Sequence, residues 1–469
     1  MTLAAGSATS IDAAPTRPLG LWVCLAAGFT TLVDQSVINL AVPSMARDLG
    51  GSTAQVQWVL ASYSLTFGLA LVPAGRFGDL RGRRPLFLGG IALFGIGSLV
   101  SGLAPAAGFV ILARLLQGVG AGVISSQVLG LVQDLFDGAD RVKALAAYGV
   151  AGGLSGLVGP VIGATLITVL PGAIGWRAVV ALSAPLALGT MVLGLRWLPR
   201  TEPCDPGARV RLDLLGLSLL AVATMALLLP FVQPGLPTPL AAGLVAAALA
   251  ALIAFVSWER YAGARVPGAV IVPPALAAAP GFVSGTLVST FWFGAGQAQN
   301  VVVTLFLLED RHVTPLLVAA AFLPNAAAFA WSSARSWRLT ARFGTRLIAV
   351  AIGVQALVCL ALALALPHLG AAAAVVTLCA TNAVSGLAGG CVDAPNRATT
   401  LLHTPDASRG VAAGFLQLAQ RLSATVCIAA ATGIALTAGG VPAPGRVGAA
   451  LGLGVGLQLL SLVFAVRRG

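Results

Sequence analysis

Fourteen stretches of this chain are each apolar for about twenty residues, the length an α-helix needs to cross a hydrocarbon core. They fall at about 19–41, 55–74, 86–105, 108–132, 142–169, 178–197, 212–232, 239–258, 281–307, 314–335, 346–366, 371–392, 409–437 and 447–466. Short loops join them and leave no room for a separate soluble domain. In lipid every backbone polar group must be satisfied internally, which admits only helices or a closed barrel. A barrel needs short alternating segments, and these runs are continuous. The expected fold is therefore an all-α polytopic membrane protein. Composition agrees: 58% of the 469 residues are hydrophobic and 9% are charged, against roughly 25% charged in a soluble domain. Fifty-seven glycines and 27 prolines suit helices that pack closely and bend.

The net charge of +12 would suggest nucleic acid in a soluble protein. Here the arginines sit in loops and set topology instead, so no nucleic-acid partner is expected. With a cytoplasmic N-terminus, roughly twenty basic residues lie inside, and only Arg47, Arg177, Arg311 and Arg446 lie outside. Both termini are then cytoplasmic. The first 18 residues are mild and polar, and the first apolar run is too long for a signal-peptide core, so no cleavable leader is expected. The six cysteines show no paired or metal-binding spacing.

Charge concentrates in one loop, "GRFGDLRGRRP" (75–85), between spans 2 and 3. A related loop, "RLTARFGTR" (338–346), lies between spans 10 and 11, with Gly344 on Gly82 and Arg338 on Arg76. The second copy has Ala341 where the first has Asp79. The recurrence suggests two structural halves with a substrate site between them. We expect an N-terminal six-helix bundle in 1–200, two extra spans and their linkers in 201–265, and a C-terminal six-helix bundle in 266–469.

With that pattern in place, "GRFGDLRGRRP" resembles the signature loop of the major facilitator superfamily. "LVDQSVINLAVPSM" (32–45) resembles the first-span motif of its fourteen-span drug:proton antiporters, and "QWVLASYSL" (57–65) follows in the expected place. "ARLLQGVGAGV" (113–123) resembles the fourth-span motif, and "GVAGGLSGLVGPVIG" (149–163) the fifth-span motif that marks antiporters. "GWR" (175–177) closes that segment. Ser36 replaces the usual threonine. The resemblance implies a major facilitator fold and proton-coupled export of amphipathic drugs or antibiotics.

Asp34 is the acid most clearly placed inside a span, and an intramembrane acid is a functional hypothesis by default. It and Arg114 lie at similar depths from the outer face. Low dielectric disfavours a carboxylate's charge and a nearby guanidinium favours it, so a site carrying both can change its proton affinity with conformation. Asp34 is expected to be the proton acceptor or cation-sensing acid, with Arg114 as its electrostatic partner in a shared water-filled cavity. Asp134, Asp137 and Asp393 are secondary coupling candidates. Gly149, Gly152, Gly153, Gly156, Gly159 and Gly163 recur near helical spacing, and Pro160 adds a bend. The resemblance makes them a tight seam between the halves. Gly75 and Gly82 are expected to allow a tight turn. Asp79 would pair with an arginine such as Arg83, or cap a neighbouring helix, as a one-sided latch. Trp58, Tyr63, Gln297, Asn300, Asn325, Gln417 and Arg421 are the expected substrate-cavity residues, an apolar pocket with a few polar handles. The aromatics of "FWF" (291–293) would attract organic cations.

No metal cluster, nucleophile elbow or P-loop is present in the sequence. An enzyme is not expected, nor a cofactor, and an ion gradient is the expected energy source. The reading is a monomeric proton-coupled antiporter in a bacterial cytoplasmic membrane, its partners protons, a small molecule and the bilayer. A specific metabolite exporter or importer, and a non-transporting membrane sensor, are the alternatives.

Overall fold

The computed structural model describes residues 16–136, 138–199, 213–233, 236–265, 270–272, 274–402, 409–436 and 442–467. In chain order the helices are α1 (Thr16–Leu49), α2 (Thr53–Arg81), α3 (Arg83–Leu103), α4 (Ala107–Leu135), α5 (Gly138–Val169), α6 (Ala173–Ala181), α7 (Ser183–Trp197) and α8 (Leu214–Val232). They continue with α9 (Thr238–Arg265), α10 (Pro274–Ala277), α11 (Pro280–Leu305), α12 (Pro315–Phe343), α13 (Arg346–Ala365), α14 (Ala371–Leu402), α15 (Arg409–Ala435) and α16 (Pro444–Val466). Among the described residues fourteen helical segments are long and apolar enough to cross a membrane, at the positions the hydropathy predicts. Helices α6 and α7 form one span between them, interrupted at Leu182. Pro185 explains the interruption: it has no N–H for the Ala181 carbonyl and crowds it. An even number of such segments puts the start of α1 and the end of α16 on one face, called here the termini face, with the far face opposite.

Each boundary has a local cause. Ser52 opens α2 with a reciprocal cap, its Oγ accepting from the Gln55 N–H (3.3 Å) while Gln55 Oε1 accepts from the Ser52 N–H (2.9 Å). Proline occupies the first turn of α11, α12 and α16, where its missing N–H costs nothing. Gly82 alone separates α2 from α3, at φ +91°, a backbone state that a side chain would strain. Gly344 makes the matching turn between α12 and α13 at φ +58°.

Two bundles follow from close helix approaches. In the first, Gly118 and Gly122 of α4 lie so close to the Tyr63 and Phe67 carbonyls of α2 that a Cβ at either would collide. In the second, Gly386 and Gly390 of α14 meet the Asn325 and Phe329 carbonyls of α12 in the same way. Tyr63 and Phe67 precede Asn325 and Phe329 by 262 residues, the offset that superimposes Gly82 on Gly344. The loop repeat is thus matched by a repeated packing contact. Helices α8 and α9 pair with each other, and α8 rests on α2 and α15. Two six-helix bundles with two extra spans make up the fold.

The extra pair is tied down by buried acids. Asp213 Oδ1 accepts from the Gly216 N–H (2.8 Å) and from Trp258 Nε1 (2.7 Å). Glu259 accepts from the backbone N–H groups of Ile271 (3.1 Å) and Val272 (2.9 Å) in the segment after α9. Arg76 of α2 donates to the Val270 carbonyl of that segment. The basic loop therefore also holds the linker between the extra helices and the second bundle.

Candidate functional site

Asp34 lies in α1 with only 2% of its surface exposed, as does Arg114 in α4. Arg114 Nη1 donates to Asp34 Oδ2 at 2.5 Å. Asp34 Oδ1 accepts from Gln117 Nε2 (2.7 Å) and from Ser183 Oγ (2.9 Å). Arg114 also donates to Gln117 Oε1 (3.0 Å), and its guanidinium lies 4.4 Å from the centre of the Tyr63 ring. Four helices of one bundle thus close around one carboxylate. The expected pair is adjacent, but the shared water-filled cavity is not where the sequence reading put it. The pair is sealed behind Tyr63 rather than facing open space. Gln117 and Ser183 were missed. Gln117 is one helical turn from Arg114, a spacing that flags it. Nothing local marks Ser183, which reaches Asp34 only because α7 packs on α1.

On the cavity side of Tyr63 lies a space of about 1940 Å³ between the bundles. It runs from Asn39 and Thr304 in the interior to Arg83, Asp134 and Arg397 near the termini face. Tyr63, Gln297, Asn300, Asn325, Gln417 and Arg421 all line it. Trp58 does not belong with them: it packs on Ala61, Leu228, Val232 and Ala429, because its side of α2 faces α8 and α15. Arg421 stands centrally. Its Nη1 donates to Gln35 Oε1 of the opposite bundle at 2.6 Å. Its guanidinium lies 4.2 Å from the Phe67 ring centre and 5.4 Å from that of Phe293. Ser125 Oγ donates to Gln417 Oε1 at 2.9 Å, a second contact across the bundles. The aromatics expected to meet organic cations are already engaged. Phe291 stacks on Phe464, Trp292 donates to Gln355 and Phe293 is covered by Arg421.

The far face is closed. Arg47 of α1 pairs with Glu309 at 2.7 Å, in the widened turn Phe306–Asp310 that follows α11. Leu40 and Ala164 are buried in the core of the second bundle, and Val301, Leu305 and Leu436 in that of the first.

The glycine run of α5 divides between two partners, since the helix packs on α1 of its own bundle and on α12 of the other. Gly152, Gly159 and Gly163 press on Leu32, Ser36 and Val37 of α1, inside their own bundle. Gly153 approaches Ala330 of α12, while a Cβ at Gly149 or Gly156 would meet open space. Gly149, Gly153, Gly156 and Pro160 line the cavity. The tight side of the run is therefore an α1 contact, and its looser side meets α12 and the cavity, because the glycines occupy two faces of one helix. Pro160 sits within the continuous α5 and cannot donate to the Gly156 carbonyl one turn earlier.

The basic loop needs a correction. Gly75 is no part of a turn: α2 runs on to Arg81, and Gly75 faces the cavity in mid-helix. Only Gly82 turns the chain. Arg83 Nε meets Asp134 Oδ2 at 2.8 Å, a carboxylate on α4 that the sequence offers as a secondary coupling acid. Gly130 leaves the space through which the Arg83 guanidinium passes. The side chain of Asp79 lies outside the described residues, as does Asp137. Asp393 pairs with Arg397 on its own helix at 3.5 Å.

A family model for the Major Facilitator Superfamily matches residues 24–298. The chain is 33% identical over 425 residues to a puromycin resistance protein of Streptomyces alboniger, covering 88% of this chain and 81% of that one. It is 34% identical over 326 residues to a cephamycin export protein of Amycolatopsis lactamdurans, covering 66% and 63% respectively. Among solved structures, the transporter PepTSo of the POT family superposes with a TM-score of 0.68 at 15% identity, over 96% of this chain and 98% of that one. The E. coli xylose transporter XylE gives 0.64 at 15% identity, over 96% and 99%, and these two likenesses speak to fold alone. The family match, the relatives and the two-bundle helical architecture agree: this chain belongs to the major facilitator superfamily of membrane transporters.

Proposed function

We propose that the protein is a proton-coupled antiporter that exports an amphipathic drug or antibiotic by alternating access. Residues 1–200 and 266–469 are the units that rock, and 201–265 carries the extra helices. The termini face is cytoplasmic, the membrane is a bacterial cytoplasmic membrane, and one chain works as a monomer. In this arrangement the cavity is open to the cytoplasm and the far side is shut.

The observation that carries the reading is a buried acid–arginine pair with a large cavity on one side of it. In the cytoplasm-open state Asp34 is bound to Arg114 and shielded by Tyr63, the state of an acid that has released its proton. Opening of the far side would expose Asp34 to the exterior. A proton taken up there removes the charge that holds Arg114, and the loosened network is free to follow the bundles back. Substrate leaves in the other half of the cycle. The curated relatives named for puromycin resistance and cephamycin export support the direction and the class of cargo. On the basic loop, Gly82, Arg83 and Asp134 would form the cytoplasmic latch, with Asp79 as a further member.

The test is Asp34→Asn in proteoliposomes. Wild type moves protons when substrate is added, and Asp34→Asn should not. Unchanged pH-gradient-driven transport by the variant would overturn the assignment of Asp34. A second reading, transport of one specific metabolite, has support from a riboflavin transporter of Clostridioides difficile that is 24% identical over 404 residues. A drug-susceptibility panel in a pump-deficient host separates the two. Resistance to several unrelated compounds supports drug export, and resistance to none supports the metabolite.

A further inference from the structure

Arg421 is a charge in the middle of the cavity. Among the described residues no carboxylate pairs with it. Among the described residues its guanidinium makes one hydrogen bond, to the neutral side chain of Gln35. Asp34 is spent on Arg114 behind Tyr63. The two acids that line the cavity, Asp134 and Asp393, stand near the termini face beside Arg83 and Arg397. Among the described residues the deep part of the cavity therefore holds the Arg421 guanidinium, a set of amides that includes Gln297, Asn300 and Asn325, and aromatic walls. An unpaired charge within a membrane protein is expensive to keep. Phe67 and Phe293 lower that expense through their ring faces, but a ring face supplies no counter-charge. The remaining guanidinium N–H groups have no acceptor among the described residues, so the planar fork is available to a carboxylate or a similar acid.

We propose that Arg421 is the binding site for an acidic group of the transported molecule, so that the cargo is an organic anion with an apolar or aromatic body rather than a lipophilic cation. The inference rests on the export reading above. Both bundles meet at Arg421, through Gln35 and Phe67 on one side and Phe293 on the other. An anion seated there would reach both rocking units at once. The amides take up the cargo's neutral polar groups. A cation would meet the repulsion of Arg421 and find the nearest aromatic faces already covered.

The test uses the full chain in nanodiscs and three fluorescent probes: 7-methoxycoumarin-3-carboxylate, its ethyl ester, and the cation ethidium. The readout is the ratio of acid to ester affinity. In wild type the acid should bind about tenfold more tightly than the ester, the range of one charge-assisted hydrogen bond. Arg421→Gln should bring the ratio near one, and Arg421→Lys should keep part of it. Unfolding curves of both variants check that they are folded. Equal binding of acid and ester by wild type, tighter binding of ethidium than of the acid, or a ratio that survives Arg421→Gln each overturn the proposal. Binding of none of the probes overturns it too. Uptake into inverted vesicles under a pH gradient judges the export reading separately. Gradient-driven uptake of ethidium or the ester, insensitive to Arg421→Gln, removes the anion site and leaves export standing. A preserved acid preference without gradient-driven uptake of any probe removes export and leaves the site.

Discussion

Replacing Asp34 by asparagine keeps the size of the side chain and removes its charge. The structure allows the cost to be worked out group by group. On the Oδ1 side an amide oxygen still accepts from Gln117 and Ser183. On the Oδ2 side an NH2 group then faces Arg114 Nη1, a donor against a donor where a 2.5 Å ion pair stood. Arg114 is 2% exposed and left without a counter-charge. Breaking a buried pair by removing one partner costs about 3–5 kcal/mol. Polar partners in membrane proteins are worth somewhat less, because the unfolded chain in lipid also finds partners. We expect Asp34→Asn to lose about 3 kcal/mol, measured by denaturant unfolding of the protein in bicelles. The double variant Asp34→Asn/Arg114→Gln no longer strands a charge and should regain about 2 kcal/mol of that loss, a coupling readable from a double-mutant cycle. If each single variant stays within about 1 kcal/mol of wild type and the two effects add, Asp34 and Arg114 do not form the tight buried pair from which the proton mechanism is argued.

The far-face bridge is a different kind of contact. Arg47 is 67% exposed in its side chain, so the pair contributes at most about 1 kcal/mol, and Arg47→Ala should leave global stability unchanged. The same energy biases the two-state balance up to about fivefold toward the far-open state, visible as longer distances between spin labels placed across that face; identical distributions for wild type, Arg47→Ala and Glu309→Gln would refute it. Glu259→Ala strands two backbone N–H groups, at about 2–4 kcal/mol together. It should speed hydrogen exchange at Ile271 and Val272 without touching the Asp34 network, and unchanged protection there would show that Glu259 does not hold the linker.

The sequence by itself determined the class of fold and the number of spans. Hydropathy is a local property, and lipid permits little besides a helix for a twenty-residue apolar run. It was less reliable on where helices stop. Helix α1 ends at Leu49 and α14 at Leu402, eight and ten residues beyond the apolar runs at 19–41 and 371–392. Backbone hydrogen bonding continues past the apolar run, and even Pro43 in α1 and Pro395 in α14 do not stop it. The chain also announced Asp34, because a charge inside an apolar run stands out, and Gly82, because charge and glycine crowd its loop.

Tertiary structure alone decided who meets whom. Helical period places a residue on a face but does not say which helix that face will touch. Trp58 looked like a cavity residue and faces α8. The α5 glycines looked like a seam between halves; their tight side packs on α1, and Gly153 meets Ala330 of α12. Ser183 carries no sequence signal and donates to Asp34 across 149 residues. Arg421 was visible as a charge in a span, but not its isolation. That depends on each nearby acid being turned toward another arginine, and only the packing of the two bundles makes it so.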